Sequence, residues 1–395
     1  MSSSARAEPS PGWRIGSLGG TPVYLGRSWP VIAVFIVVAF GPALGRADRG
    51  PAYGFLLAGA YALLLLVSVL VHEAAHALAA RRQGHRVDRI VADVWGGHTV
   101  YDSTGATPGA TALIAFVGPL SNLLLAGLGW VVYAFVTNET ASTLLGVVTT
   151  ANLLVGLFNL LPGLPMDGGQ IVSSLVWKAT GRRGTGLVVA GWLGRVVAIG
   201  TVAWFVARPL VEGRTDDLFG YAFPFIIGFF LWRGASGAIR AGQITEATAS
   251  PAVDVLEPLL LVRASEPVSQ VDRALADHLA GAAAGGGAGG GATWVAGTDA
   301  AGWPYAVLDA DAAAAVPRET RASTPVSAVV VSQPQSWVVP LTKSAVLTDL
   351  VRVMSERSLS LAVVVDESTR EVLGMATAER INAVVGAELA RRGRR

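Results

Sequence analysis

Along the first 240 positions of this 395-residue chain, apolar residues come in long unbroken blocks and not in stripes. Six such blocks run from Trp29 to Leu44, Phe55 to Ala80, Thr111 to Val136, Leu144 to Leu161, Val188 to Leu210 and Leu218 to Leu231. A helix needs about 20 predominantly apolar residues to cross a hydrocarbon core of about 30 Å. The blocks therefore predict a polytopic α-helical membrane body of about six transmembrane helices. The first and last are short for a full crossing, so tilt or partial interfacial placement is expected there. The first block does not read as a cleaved signal peptide: the basic lead-in before Trp29 is long, and "PALGRA" is a poor small-residue cleavage site.

Between the second and third blocks the pattern changes. "GHRVDRIVADVWGGHTVYDSTG" alternates polar and β-branched residues around the Gly96-Gly97 pair, which predicts a β-hairpin. Beside a membrane body, its backbone must be satisfied against protein or in the interface. After Gly242 the long apolar runs stop. Short strand-like segments ("ATWVAG", "YAVLDA", "LAVVVDE", "EVLGMAT") alternate with helix-like ones ("PVSQVDRALADHL", "AVLTDLVRVMSERS"), predicting a soluble α/β tail. The low-complexity run "AGAAAGGGAGGGA" reads as a linker within it. The two halves of the tail look like diverged copies of one β-α-β-β-α unit. The expected domains are a cytoplasmic lead over 1–28, a membrane domain over 29–240, and repeats over 245–316 and 322–390.

Composition sharpens this division. Apolar residues make up 52% of the chain and charged residues 15%, with a mean hydropathy of +0.51. Average soluble proteins carry roughly 25% charged residues, so an ordinary soluble fold and a disordered chain are both excluded for the bulk. The absence of cysteine removes thiolate metal ligands, Fe–S clusters and disulfide scaffolds. Any metal must be held by His, Asp or Glu. The net charge is only +2, which gives nucleic-acid binding no support. The cations are nearly all Arg, Lys178 and Lys343 being the only lysines. Counted loop by loop, twelve Lys or Arg fall on the side of both ends of the membrane body and four (Arg46, Arg49, Arg208, Arg214) on the other. Cytoplasmic loops collect positive charge, so a multi-pass plasma-membrane protein with both termini and the tail in the cytoplasm is expected. Arg195 fits neither set, since it falls inside the fifth block.

The second block ends "LVHEAAHALAARR", with His72, Glu73 and His76. On a helix, residues four apart lie on one face, so both imidazoles can reach one zinc ion at roughly 2.0–2.1 Å. Glu73 points to the side of that pair, where a general base for an attacking water sits. Three ionisable groups in an apolar helix are costly unless paired, metal-bound or facing water. A catalytic zinc takes three protein ligands and leaves a position open. Asp167, in "FNLLPGLPMDGGQIV", is the one acid in an apolar stretch broken by Pro162 and Pro165. It reads equally as a third ligand or as the N-cap of a helix beginning at Gly168. The second and fourth blocks run in the same direction and carry these motifs at their C-terminal ends, so the two can meet at one depth. Asn159 could donate to a developing oxyanion or simply tie off carbonyls freed near the prolines.

These residues resemble the site-2 protease family of intramembrane zinc metalloproteases. The resemblance rests on HExxH at His72 to His76, "GPLSN" at Gly118 to Asn122, and the NxxPxxPxDG pattern from Asn159 to Gly168. It implies that Asp167 is the third zinc ligand, Glu73 the catalytic base, and Asn159 an aid near the scissile carbonyl. It further implies that the Gly96-Gly97 hairpin holds an extended substrate as an added strand. The implied partners are membrane lipid and a single-pass transmembrane substrate, in bacteria an anti-sigma factor or similar regulator, cleaved in regulated intramembrane proteolysis. The tail resembles a tandem pair of cystathionine-β-synthase-type (CBS) repeats, which in one branch of the family accompany the protease. Those repeats bind adenosine nucleotides through a G-x-x-T-x-x-D ending; here Gly374 and Thr377 are followed by Arg380, and Asp309 stands where the first copy should have Thr. The departures favour a homodimerisation or docking module over a nucleotide site. The rival reading is a transporter or channel gated by such repeats, which predicts charges from several spans near the midplane.

Overall fold

The computed structural model describes residues 12–45, 49–93, 96–211, 218–284 and 292–393. The chain divides into two compact units, Met1–Gly242 and Gln243–Arg395.

The first unit opens with strands β1 (Gly12–Leu18) and β2 (Thr21–Gly26), followed by helices α1 (Trp29–Leu44) and α2 (Pro51–Arg82). Strands β3 (Val87–Asp93) and β4 (Gly96–Tyr101) come next, then helices α3 (Pro108–Tyr133), α4 (Glu139–Asn159), α5 (Asp167–Thr180), α6 (Arg183–Val211) and α7 (Leu218–Ala247). Among the described residues, α2, α3, α4 and α6 are long and apolar enough to cross a membrane, while α1 is a shorter apolar helix of 16 residues. The last apolar block lies in α7, whose first residues border a stretch outside the described chain.

Local signals explain the boundaries. Pro51 sits in the first turn of α2, Arg81 and Arg82 in its last, and Gly84 beyond the end adopts a φ of +85°. Those arginines face the negative end of the helix dipole, and the glycine allows the left-handed exit. Thr107 caps α3 by accepting from the Ala110 amide, and Asn138 caps α4 by accepting from that of Ala141. The expected hairpin is β3–β4, antiparallel, with Gly96 opposite Asp93.

The lead before Trp29 is not featureless. Its strands β1 and β2 form a second hairpin, and β2 pairs in parallel with β3, giving one sheet in the order β1-β2-β3-β4 with β4 at an edge. Arg81 fastens this hairpin to the end of α2, its guanidinium donating to the Gly19 carbonyl at 2.7 Å and to the Thr21 hydroxyl at 2.6 Å. Val23, Val87 and Ile90 pack with Ala77, Ala80 and Ile114, so the sheet is seated on α2 and α3.

The second unit repeats one arrangement twice. Strand β5 (Leu259–Arg263), helix α8 (Val268–Ala284), strands β6 (Trp294–Thr298) and β7 (Pro304–Leu308) and helix α9 (Ala310–Ala315) form the first copy. After the short strand β8 (Val330–Ser332), the second copy runs β9 (Val338–Leu341), α10 (Leu347–Glu356), β10 (Leu361–Asp366), β11 (Val372–Thr377) and α11 (Ala378–Gly393). In each copy the first two strands are parallel and the last two antiparallel. The sheets are β5-β6-β7-β8 and β11-β10-β9, so β8 completes the sheet of the preceding copy. Trp337, Val363 and Met375 are buried together with Ala296 and Val307, joining the two copies through one apolar core.

Candidate metal centre

His72, Glu73 and His76 lie in the C-terminal half of α2 and are all buried. Asp167 reaches them from α5. It is the first residue of that helix, whose cap is Met166, so the N-cap reading of Asp167 does not apply. Its Oδ2 stands 3.1 Å from His72 Nε2 and 3.4 Å from His76 Nε2, and the two Nε2 atoms are 3.0 Å apart.

The hydrogen-bond network fixes what these three atoms present. The carbonyls of Ile114 and Val148 can only accept. His76 Nδ1 lies 2.7 Å from the Ile114 carbonyl, so it carries the proton and leaves the lone pair on Nε2. Asn152 donates from Nδ2 to the Val148 carbonyl (2.9 Å) and the Ser68 hydroxyl (3.0 Å), which turns its Oδ1 toward the Asn122 amide nitrogen at 2.8 Å. Asn122 Oδ1 then faces His72 Nδ1, which must donate to it. The lone pair of His72 is likewise on Nε2. Two imidazole lone pairs and a carboxylate oxygen thus converge, an arrangement that repels itself unless a cation joins it.

The spacing suits zinc. A tetrahedron with bonds of about 2.0–2.1 Å has edges of about 3.3–3.4 Å, near the three separations found here. The space for the ion is kept clear by Gly118: a Cβ there would stand 2.3 Å from His76 Nε2 and 2.7 Å from His72 Nε2. The donor set, its tautomers and this clearance fit a zinc ion with a position left open.

Beside the donors lies a cavity of about 170 Å³, lined by Glu73, Gly97, Asn159, Pro165 and Asp167 among others. The Thr99 hydroxyl of β4 sits 2.8 Å from Glu73 Oε2 and 3.0 Å from its carbonyl oxygen. Gly97 lets β4 approach so closely that a Cβ would come within 2.7 Å of Glu73 Cγ. The loop before Asp167 is held from behind, the Leu164 amide donating to the Ala190 carbonyl at 3.0 Å and Met166 packing with Ala198 and Leu231.

Four of the five residues singled out from sequence, His72, Glu73, Asn159 and Asp167, line this cavity, and the fifth, His76, stands beside His72 and Asp167. His85 and His98 do not join them: His85 packs near Tyr101, and His98 pairs with Asp93 at 3.6 Å. Three polar residues were not anticipated in these positions: Ser68, Asn152 and Thr99. The first two carried a readable signal, since a lone amide or hydroxyl in an apolar helix is retained at a cost unless it is bonded.

Residues 60–139 and 134–199 match Peptidase family M50. A protein named as a zinc metalloprotease in Synechocystis sp. is 32% identical over 242 residues, covering 59% of this chain and 61% of that protein. The Mycobacterium tuberculosis protein named as zinc metalloprotease Rip3 is 35% identical over 215 residues, 52% of this chain and 54% of that one. The chain thus spans somewhat over half the length of these relatives. Among solved structures, the site-2 protease from Methanocaldococcus jannaschii is 21% identical, covering 58% of this chain and 95% of that one with a TM-score of 0.43. The CBS domain of a bacterial CNNM/CorC family Mg2+ transporter is 16% identical, covering 38% and 88% with a TM-score of 0.26. The HExxH motif lies within the stretch that matches Peptidase family M50, and so does Asp167, which converges on it.

Proposed function

We propose that this protein is an intramembrane zinc metalloendopeptidase that hydrolyses a peptide bond in or near the transmembrane segment of a single-pass membrane protein. The observation that carries this reading is the triangle of His72 Nε2, His76 Nε2 and Asp167 Oδ2 beside a buried carboxylate, next to a cavity of about 170 Å³ at the C-terminal half of an apolar helix. His72, His76 and Asp167 hold the zinc. When bound, zinc supplies Lewis acidity, polarising the scissile carbonyl and making a water acidic enough for a carboxylate base at neutral pH.

Glu73 does the proton transfers. With Oε2 engaged by Thr99, Oε1 is left to take a proton from the attacking water as its oxygen bonds to the carbonyl carbon. Glu73 then returns that proton to the leaving nitrogen as the C–N bond breaks. Asn159, at the C-terminal end of α4 and on the cavity wall, donates to the oxygen that gains charge.

An intact helix hides its carbonyls, so the substrate must unwind before attack. The open edge of β4 offers backbone groups to such an extended segment, with Gly97 setting it next to Glu73. A single-pass regulator whose span contains helix breakers, such as an anti-sigma factor, fits this requirement. We further infer six crossings, with α1 and α7 completing the four longer spans, in a bacterial plasma membrane with the tail in the cytoplasm. The twice-repeated β-α-β-β-α order supports CBS-type repeats that modulate the protease as a dimerising or docking module. Against a nucleotide ligand stands Thr377, whose hydroxyl lies 3.3 Å from the buried Glu257 carboxylate.

The test is cleavage of a single-span substrate by reconstituted wild type and Glu73→Gln, with zinc content measured in both. The variant should keep its zinc and lose activity by about 10²–10⁴-fold. Undiminished cleavage by the zinc-loaded variant would remove Glu73 from the mechanism.

A further inference from the structure

Arg195 is the charge that fits no loop, and its surroundings give it a purpose. Helices α6 and α7 run antiparallel in close contact: Gly184 meets Gly242, Gly191 meets Ile239, and Val202 meets Gly228. This register brings Arg195 level with Trp232 and Ser236. Its guanidinium carbon lies 4.5 Å from the Trp192 ring centroid and 4.8 Å from that of Trp232, held between two indoles. One terminal nitrogen donates to Ser236 Oγ at 3.1 Å. Nε is buried without a hydrogen-bond partner, and among the described residues no carboxylate is paired with this arginine. The flanking indoles, Trp192 and Trp232, are 54% and 41% exposed, so the assembly sits on the outer face of the helix pair.

Its level along the helices is legible from charge. From Val196 to Ala207, α6 carries no charged residue, and neither does α7 from Leu218 to Trp232. Arg195 and Arg233 stand at the same end of these two runs. Tryptophan marks the headgroup boundary of a bilayer, and an arginine inside an apolar span reaches that level by snorkelling along its helix. An arginine there without an acidic partner is open to an anion from outside the protein.

We propose that Trp192, Arg195, Trp232, Arg233 and Ser236 form a site for the phosphodiester of an anionic phospholipid. Arg195 and Arg233 supply positive charge, the terminal guanidinium N–H groups of Arg195 not used by Ser236 donate to phosphate oxygens, and the indoles line the boundary between headgroup and acyl chain. A zwitterionic headgroup is disfavoured, because its ammonium finds no carboxylate and the indole faces are already taken by Arg195. The site backs directly onto the proposed metal centre. A Cβ at Gly194 would meet the Leu164 carbonyl oxygen, and one at Gly234 would lie 2.7 Å from Pro165, so the loop leading to Asp167 rests on the residues next to Arg195 and Arg233.

Delipidated full-length protein would be titrated with short-chain phosphatidylglycerol, short-chain phosphatidylcholine and inorganic phosphate, and bound molecules counted by native mass spectrometry. Phosphatidylglycerol should bind in preference to phosphatidylcholine. Arg195→Gln should weaken it about fivefold, the effect of one cation near a membrane surface. A double Trp192→Leu, Trp232→Leu variant, which retains the arginine, should weaken it too. Equal binding of the two lipids, or unchanged phosphatidylglycerol binding in Arg195→Gln with an unaltered melting temperature, would overturn the site. Inorganic phosphate competing as well as the lipid would overturn its assignment to lipid. None of these readouts involves zinc or proteolysis, so the lipid site and the protease reading stand or fall separately.

Discussion

Gly118 shows how little material separates a metal centre from a packing defect. Its missing side chain is the clearance in front of His72 and His76. Gly118→Ala should therefore push both rings off their convergence and weaken zinc binding, measured by chelator competition, while an alanine in mid-helix is otherwise favourable by about 1 kcal/mol. Asn152 acts at one remove. It orients Asn122, which sets the tautomer of His72, and partners of this kind typically change metal affinity about 10–100-fold. Asn152→Leu should weaken zinc retention within that range, with Co2+ substitution giving a visible spectrum to follow the altered geometry. Asp167→Asn should weaken zinc more than either, because it removes the only anionic donor of the triangle. The histidines and Glu73 were legible because their spacing is a helix repeat. Asn152 could be noticed as a lone amide in an apolar helix, but its role could not be read, because it lies in which atom of another side chain it turns.

At the level of elements, the apolar blocks read directly as helices, since twenty uncharged residues admit few other folds. The β1–β2 hairpin was passed over although Gly19-Gly20, both with positive φ, join two strand-like runs in a recognisable hairpin turn. Its parallel pairing with β3 joins residues more than sixty positions apart, which no local pattern encodes. Helix α5 was foreseen only as the helix that Asp167 would cap, and its position was hidden for a related reason. It is a short helix following a loop, and its place depends on contacts with α3 and α6. In the tail, Arg321 grips Asp272 through two hydrogen bonds of 2.7 Å and reaches the Ala313 carbonyl at the end of the first copy. The arginine holds the Asp272 carboxyl below its ordinary value of 3.8. The sign follows: the unfolded chain binds this proton more readily, so the pair's contribution is fully present above about pH 4 and is lost as pH falls through the folded value. Asp272 is largely exposed, which keeps the contribution below about 1 kcal/mol. Asp272→Asn should flatten the acid side of the tail's stability profile in urea melts and leave the neutral side lower by that amount.

For the molecule as a whole, zinc held as proposed would tie α2 to α5 across nearly a hundred residues of chain, whereas no tail residue belongs to the triangle. Binding to the native state alone stabilises it by RT ln(1 + [L]/Kd), about 4 kcal/mol at a thousandfold excess over Kd. Removing the metal with a chelator should lower the melting temperature of the membrane unit and leave the tail transition in place, a result calorimetry of the full chain in detergent would resolve. A shift of the tail transition alone would contradict this division. The sequence by itself determined that there is a membrane body and an α/β tail, that any metal has nitrogen and oxygen ligands, and that His72, Glu73 and His76 share one helical turn. Each of these follows from composition or from a short-range period. That Asp167 lies beside both imidazoles and does not cap its helix, which imidazole nitrogens point inward, and what surrounds Arg195 were decided only by tertiary structure. Those answers depend on atoms brought within about 3–5 Å from distant parts of the chain, and only the folded backbone brings them there.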